Sequence, residues 1–126
     1  MNRETAKWVD KAEADWQVAQ RHAREKPPRD IVCFHCQQAA EKYVKALLQE
    51  SGRAVPRTNE IAEIIELLLP SDKSLGRLRQ RADSLSQYAV NYRSPGMVAS
   101  KRQMEAALRH ADRIRLEIRT KLNLAP

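Results

Sequence analysis

The placement of the helix breakers constrains the fold of this chain more than any motif does. Its three glycines, and its prolines at 27, 28, 56, 70, 95 and 126, fall at a few narrow breaks and leave long uninterrupted segments between them. Within those segments apolar residues recur at spacings of three and four, and no alternating strand pattern competes. An all-α chain follows, an up-and-down antiparallel bundle of four long helices plus one short helix, joined by brief loops.

The first helix should run from about residue 3 to 25, with Asn2 as its N-cap. Trp8, Ala12, Trp16, Ala19 and Ala23 form its apolar stripe, which also takes in Asp15. A carboxylate beside two tryptophans must either bond to a neighbouring helix or lie off the buried face, because an unpaired buried charge is costly. The second helix starts after Pro27-Pro28, with Asp30 at its positive end, and runs to Ser51 ahead of Gly52 at the C′ position. Val32, Cys36, Ala39, Ala40, Tyr43 and Leu47 form its apolar face, and the small residues there admit a close neighbour, which marks this as the central helix. Thr58 is the expected cap of a short third helix ending at Leu69 before Pro70, with Ile61, Ile64, Ile65 and Leu68 facing the core. A fourth begins near Ser71 or Asp72 and carries Leu75, Leu78, Ala82, Leu85, Tyr88 and Tyr92 until Ser94-Pro95-Gly96 stops it. The last starts at Ser100, where Gln103 completes a capping box, and turns Met104, Ala107, Leu108, Ala111, Ile114, Ile118 and Leu122 inward.

At 126 residues and 14.5 kDa the chain suits one domain, residues 1–126, around a single core. Its longest apolar runs, such as Leu67-Leu68-Leu69, are far shorter than the roughly 20 residues of a membrane-spanning helix. The N-terminus opens directly into a polar helical pattern without a signal segment, so a cytoplasmic protein is expected. Lysine and arginine total 23 against 16 acidic residues, a formal charge of +7, which favours RNA, free nucleotides or an acidic protein as partner. The densest basic groups, Arg77/Arg79/Arg81 and Arg109/Arg113/Arg115/Arg119, have spacings that suit a solvated helix face. Cys33 and Cys36 form a C-x-x-C pair inside a helix. With no βαβ context and too few ligands for a closed zinc site, they read as small buried hydrophobes, and neither a metal nor a cofactor is expected.

Two stretches carry a family resemblance. Cys33-Phe34-His35-Cys36-Gln37-Gln38-Ala39-Ala40-Glu41-Lys42, echoed downstream by Tyr88 and by Tyr92-Arg93-Ser94-Pro95-Gly96, resembles the signature of the HEPN domain, a helical family associated with nucleotides and RNA. The resemblance extends from the Trp8-to-Asp15 pattern to the final helix. It departs from the family pattern at Cys36, where alanine is usual, at Asn59, where the family has histidine in a Pro-x-Thr-His turn, and at Ser94, where an Arg-Tyr-Pro-Gly segment has tyrosine. Catalytic members of the family, which are metal-independent ribonucleases, carry an arginine followed at short range by a histidine before the last long helix. Arg93 stands in about that place, yet Ser94 to Ser100 contain no histidine. The spacing recurs only between Arg29 and His35, at the start of a different helix. The resemblance therefore implies a homodimeric module that binds nucleotide or protein, the partner of a small nucleotidyltransferase in a toxin–antitoxin-like pair, without a clear catalytic set. The alternative is a metal-independent ribonuclease toxin, an endoribonuclease.

For RNA cleavage, His35 would take the 2′-hydroxyl proton while Arg29 or Arg93 stabilised the pentavalent phosphate. The plainer reading of His35 is a hydrogen-bonded packing or interface residue. For nucleotide or RNA binding the candidates are Arg93, Tyr92, Tyr88, Lys42 and Lys45, since cations hold phosphate and a tyrosine ring stacked on a base contributes roughly 1–3 kcal/mol. The competing expectation is that both tyrosines complete the core and Arg93 pairs with Glu41 or Asp15.

Overall fold

The computed structural model describes residues 1–25, 28–91, 95–96 and 98–126. The chain forms α1 (Arg3–Arg24), α2 (Arg29–Glu50), α3 (Ile61–Leu68), α4 (Arg79–Asn91) and α5 (Lys101–Lys121), with a 3-10 turn over Lys73–Leu78 leading into α4. No strand occurs among the described residues.

Local chemistry sets the ends. The Asn2 side chain accepts from the Thr5 amide at the start of α1, and Ser100 and Gln103 form the full reciprocal capping box that opens α5. Gly52 takes the left-handed conformation, φ +79°, that lets the chain leave α2. Two starts differ from the sequence expectation. Thr58 accepts from the Glu60 amide instead of capping the helix itself, so α3 begins at Ile61 with Glu60 as its N-cap. The fourth helix opens as a 3-10 turn because Asp72 caps the Ser74 amide two residues on, which tightens the first turn.

The directions of the helices follow from which residues meet. Thr5 meets Glu50, Glu13 meets Tyr43 and Asp15 meets both His35 and Lys42, so α1 and α2 are antiparallel. Asp30 meets Ala99 near the starts of α2 and α5, and Tyr43 meets Arg119 further along both, so these two run parallel. Arg77 and Arg81 meet Glu117 and His110 in reverse order, which makes α4 antiparallel to α5. The four long helices thus alternate up and down, with α3 packed beside α2 and α4.

Helix α2 is the axis of the bundle, since α1, α3, α4 and α5 all pack on it. Its buried residues are correspondingly not one stripe: Cys33, Val44, Ala46 and Leu48 are hidden as completely as the expected Val32, Cys36, Ala40 and Tyr43, whereas Leu47 keeps partial exposure. Ile61, Ile64, Ile65, Leu75, Leu78, Leu85, Ile114 and Ile118 close the core around it. No described helix is long and apolar enough to cross a membrane.

Candidate functional site

The residues that carry chemistry collect along the seams of α1, α2 and α5. Asp15 faces α2 from α1, where one carboxylate oxygen accepts from His35 Nδ1 at 2.8 Å and the other from Lys42 Nζ at 2.5 Å. His35 and Lys42 are seven residues apart, two turns along one face of α2, which is why a single carboxylate reaches both. The contact resolves the position of Asp15 on the tryptophan stripe: it is largely buried and bonded to the next helix. It also orients the imidazole, leaving Nε2 as the ring nitrogen not engaged by Asp15, with Phe34 edge-on to the ring at 5.2 Å between centroids.

A second cluster joins three helices. Glu13 accepts a bidentate pair of bonds from Arg115 at 2.9 and 2.7 Å and a further short bond from the Tyr43 hydroxyl, which in turn accepts from Arg119 at 3.0 Å. Partial burial alone would push the Glu13 carboxyl up, but the bonds from Arg115 and Tyr43, and the charges of Arg115 and Arg119, outweigh it and bring the carboxyl down to about 2. Burial, then the neighbouring Glu13, pushes the Tyr43 phenol up to about 12. Arg115 also lies over Trp16, 5.7 Å from the ring centroid. Arg115 and Arg119 are only 12% and 15% exposed in their side chains, so they do not belong to the solvated face expected for the Arg109-to-Arg119 group. A signal for this existed: Ala111, Arg115, Ile118 and Leu122 follow one another at helical spacing, so Arg115 stands inside an apolar stripe.

Lys45, on the same helix as Tyr43, is buried, paired with Glu41 at 3.2 Å and set over the Trp8 ring at 5.5 Å. Gln37 bonds to Glu41 and to the Asn59 carbonyl, which ties α2 to the loop before α3. Tyr88 is half-buried on α4, its phenol pushed up by burial and by proximity to Cys33. Tyr92, Arg93 and Ser94 lie outside the described residues. Arg29 and His35 are not brought together: residues six apart sit roughly 120° around the helix from one another, and while His35 faces Asp15, Arg29 lines a cleft of about 520 Å³ at the end of the bundle with His22, Val98 and Lys101. An adjoining cleft of about 380 Å³ between α1 and α5 has Trp16, Ala23 and Leu108 as its floor and Arg24 and Arg109 among its walls. Nothing in the sequence patterns singles out either cleft.

Cys33 and Cys36 are both fully buried and free. Burial and the nearby Asp30 push the Cys33 thiol up to about 11, and burial raises Cys36 further, the reverse of what a reactive thiolate requires. Among the described residues no group of three or more His, Cys, Asp or Glu side chains is placed to hold a metal ion.

Comparison with known proteins adds the family. Curated proteins give no significant match. The structure is similar to the crystal structure of TT1696 from Thermus thermophilus, at a TM-score of 0.81 and 25% identity, over 96% of this chain and 99% of that one. It is also similar to the crystal structure of ST0689, described as an archaeal HEPN homologue, at a TM-score of 0.77 and 23% identity, over 96% and 98% of the two chains. The HEPN domain model matches residues 5–121, nearly the whole bundle, and on that match this chain belongs to the HEPN domain family.

Proposed function

We propose that this HEPN domain is a dimeric binding module for a nucleotide or a protein, and that its partner is a small nucleotidyltransferase in a toxin–antitoxin-like pair. The observation that carries this reading is the occupation of the described side chains best suited to catalysis. Lys42 is taken up by Asp15 and Lys45 by Glu41, and Arg29, the cation that would have to work with His35, lines a cleft elsewhere on the bundle. Exposed side chains of both signs remain, with the basic ones in excess, consistent with a formal charge of +7 and with docking on an acidic partner. Two-fold homodimers are the commonest soluble assembly, and the family precedent points the same way. Co-expression with the product of the adjacent gene, followed by affinity purification and light scattering, tests the proposal. A stable complex containing two copies of this chain is expected. A neighbour unrelated to nucleotidyltransferases, with no complex formed and a monomeric chain, would remove the reading.

One contact favours a second reading, a metal-independent ribonuclease. A carboxylate on Nδ1 orients a histidine so that Nε2 can accept a proton, and His35 keeps 25% of its side chain exposed. If His35 is such a base, purified protein cleaves a fluorogenic RNA in the presence of a chelator and His35→Ala abolishes the activity. RNA left intact by the unmodified protein removes the second reading and leaves the first standing.

A further inference from the structure

We propose that the groove between the C-terminal half of α1 and the N-terminal half of α5 is a docking surface for an acidic amphipathic helix of a partner protein. The proposal rests on the reading of this domain as a protein-binding module and gives that reading a location.

Helices α1 and α5 both pack closely on α2, but they touch one another only slightly. They meet where Glu13 grips Arg115, and beyond that point a channel lies open between them. Its two clefts adjoin at Ala23, which lines both. Along α5 the channel runs from Lys101 to Asp112, a rise of about 16 Å, or three helical turns. Two antiparallel ridges on a common support, with a small residue of one of them facing the channel, are the geometry into which a further helix packs. The floor is apolar, built from Ala23, Leu108 and Met104 with a small part of the nearly buried Trp16, and Val98 stands 74% exposed at one end.

Charge selects the occupant. Arg24, Arg29, Lys101 and Arg109 line the channel, and among the described residues none of these side chains makes a hydrogen bond or salt bridge. This contrasts with Lys42, Lys45, Arg77, Arg115 and Lys121, each of which has a carboxylate. Of the two carboxylates that line the channel among the described residues, Asp112 already lies 3.7 Å from Arg115, which leaves Glu25 to oppose the four cations. A helix with leucines on one face and glutamates flanking them would bury the apolar floor and pair the open cations together. A single nucleic-acid strand is the poorer fit. It needs an open aromatic face on which bases can stack, whereas of the two rings that line this channel Trp16 is only 5% exposed with Arg115 over it and His22 is partly buried.

The test uses a labelled helical peptide of about 14 residues, long enough to span three to four turns, with leucines at i, i+4, i+7 and i+11 and glutamates beside them. A permuted peptide of the same composition, with the leucines dispersed around the helix, serves as control. Fluorescence anisotropy with the full chain should show saturable binding of the first peptide only, weakening with salt. The double substitution Arg24→Glu/Arg109→Glu should reduce its affinity at least about tenfold, as expected for reversed charges beside an interface, while Arg57→Glu, on the exposed loop before α3, should leave it unchanged. Circular dichroism establishes that each variant is folded. The proposal is overturned if the two peptides bind equally, if neither binds, if the double substitution has no effect, or if it instead abolishes binding of an oligouridylate. It is also overturned if the substitution splits a dimer into monomers, which would make the occupant a second copy of this chain. A nucleotidyltransferase complex that survives Arg24→Glu/Arg109→Glu removes the groove but not the binding module, whereas the absence of any complex removes the module itself.

Discussion

At the scale of single residues, the side chain that does most to join the helices is Glu13. It lies off the tryptophan stripe and attracts no notice in the sequence, yet it accepts from two helices at once, through Arg115 and Tyr43. Replacing it by glutamine removes one of the two acceptor oxygens and leaves the nearly buried Arg115 guanidinium, among the described residues, with the more distant Asp112 as its carboxylate. Glu13→Gln should therefore cost about 1.5–3 kcal/mol, the range for hydrogen bonds to charged groups, measured by urea denaturation at neutral pH. The same residue shapes the acid limb of stability. Its carboxyl titrates at about 2 in the folded chain against 4.5 ordinarily, so its contribution is complete above pH 4.5 and is lost as pH falls towards 2. Glu13→Gln should flatten that part of the stability profile. His110 acts at higher pH. Burial, then the charges of Arg81 and Arg109, lowers its pKa, and its ring lies 3.2 Å from the Arg81 guanidinium. Stability should fall as the pH drops below about 6.5, the ordinary histidine value, and His110→Gln should remove that decline in a pH series of thermal melts.

At the scale of elements, what could be read from the chain depended on how local the determining interactions are. The caps at Asn2 and Ser100 span three residues, and the structure places both where the residues themselves indicate. Ser100→Ala should cost about 1 kcal/mol by removing the capping box of α5. The start of α3 and the 3-10 opening of α4 were less legible, because Thr58 and Asp72 can each bond to amides at more than one spacing and the surrounding packing decides among them. Helix α2 shows the same limit at larger size. A search for one apolar face finds Val32, Cys36, Ala40 and Tyr43 but passes over Cys33, Val44, Ala46 and Leu48, which are buried only because neighbours surround the helix. Its alanines set how near those neighbours come. Ala40→Leu should destabilise by about 1–3 kcal/mol through overpacking, read from the denaturant midpoint.

For the molecule as a whole, the two thiols report on global opening. Cys33 and Cys36 are fully buried on the central helix and their ionisation is suppressed. An aromatic disulfide reagent should therefore label them far more slowly in the folded protein at pH 8 than in urea, at a rate that follows the population of opened molecules. Fast labelling of the native state would contradict the placement of α2 at the centre. The up-and-down arrangement also brings distant pairs together, Asp30 with Ala99 and Lys121 with Asp72, so that both ends of α5 are anchored to other parts of the chain.

The sequence by itself determined the number, order and approximate limits of the helices, the central role of the second and the membership in an all-α bundle, because apolar spacing and capping act over a few residues along one helix. The seams belong to the tertiary structure alone: Asp15 with His35 and Lys42, Glu13 with Arg115, and the basic groove left open between α1 and α5. Periodicity says which way a side chain points from its own helix. Only the packing of three helices at particular rotations decides which charge it meets, and which charges meet none.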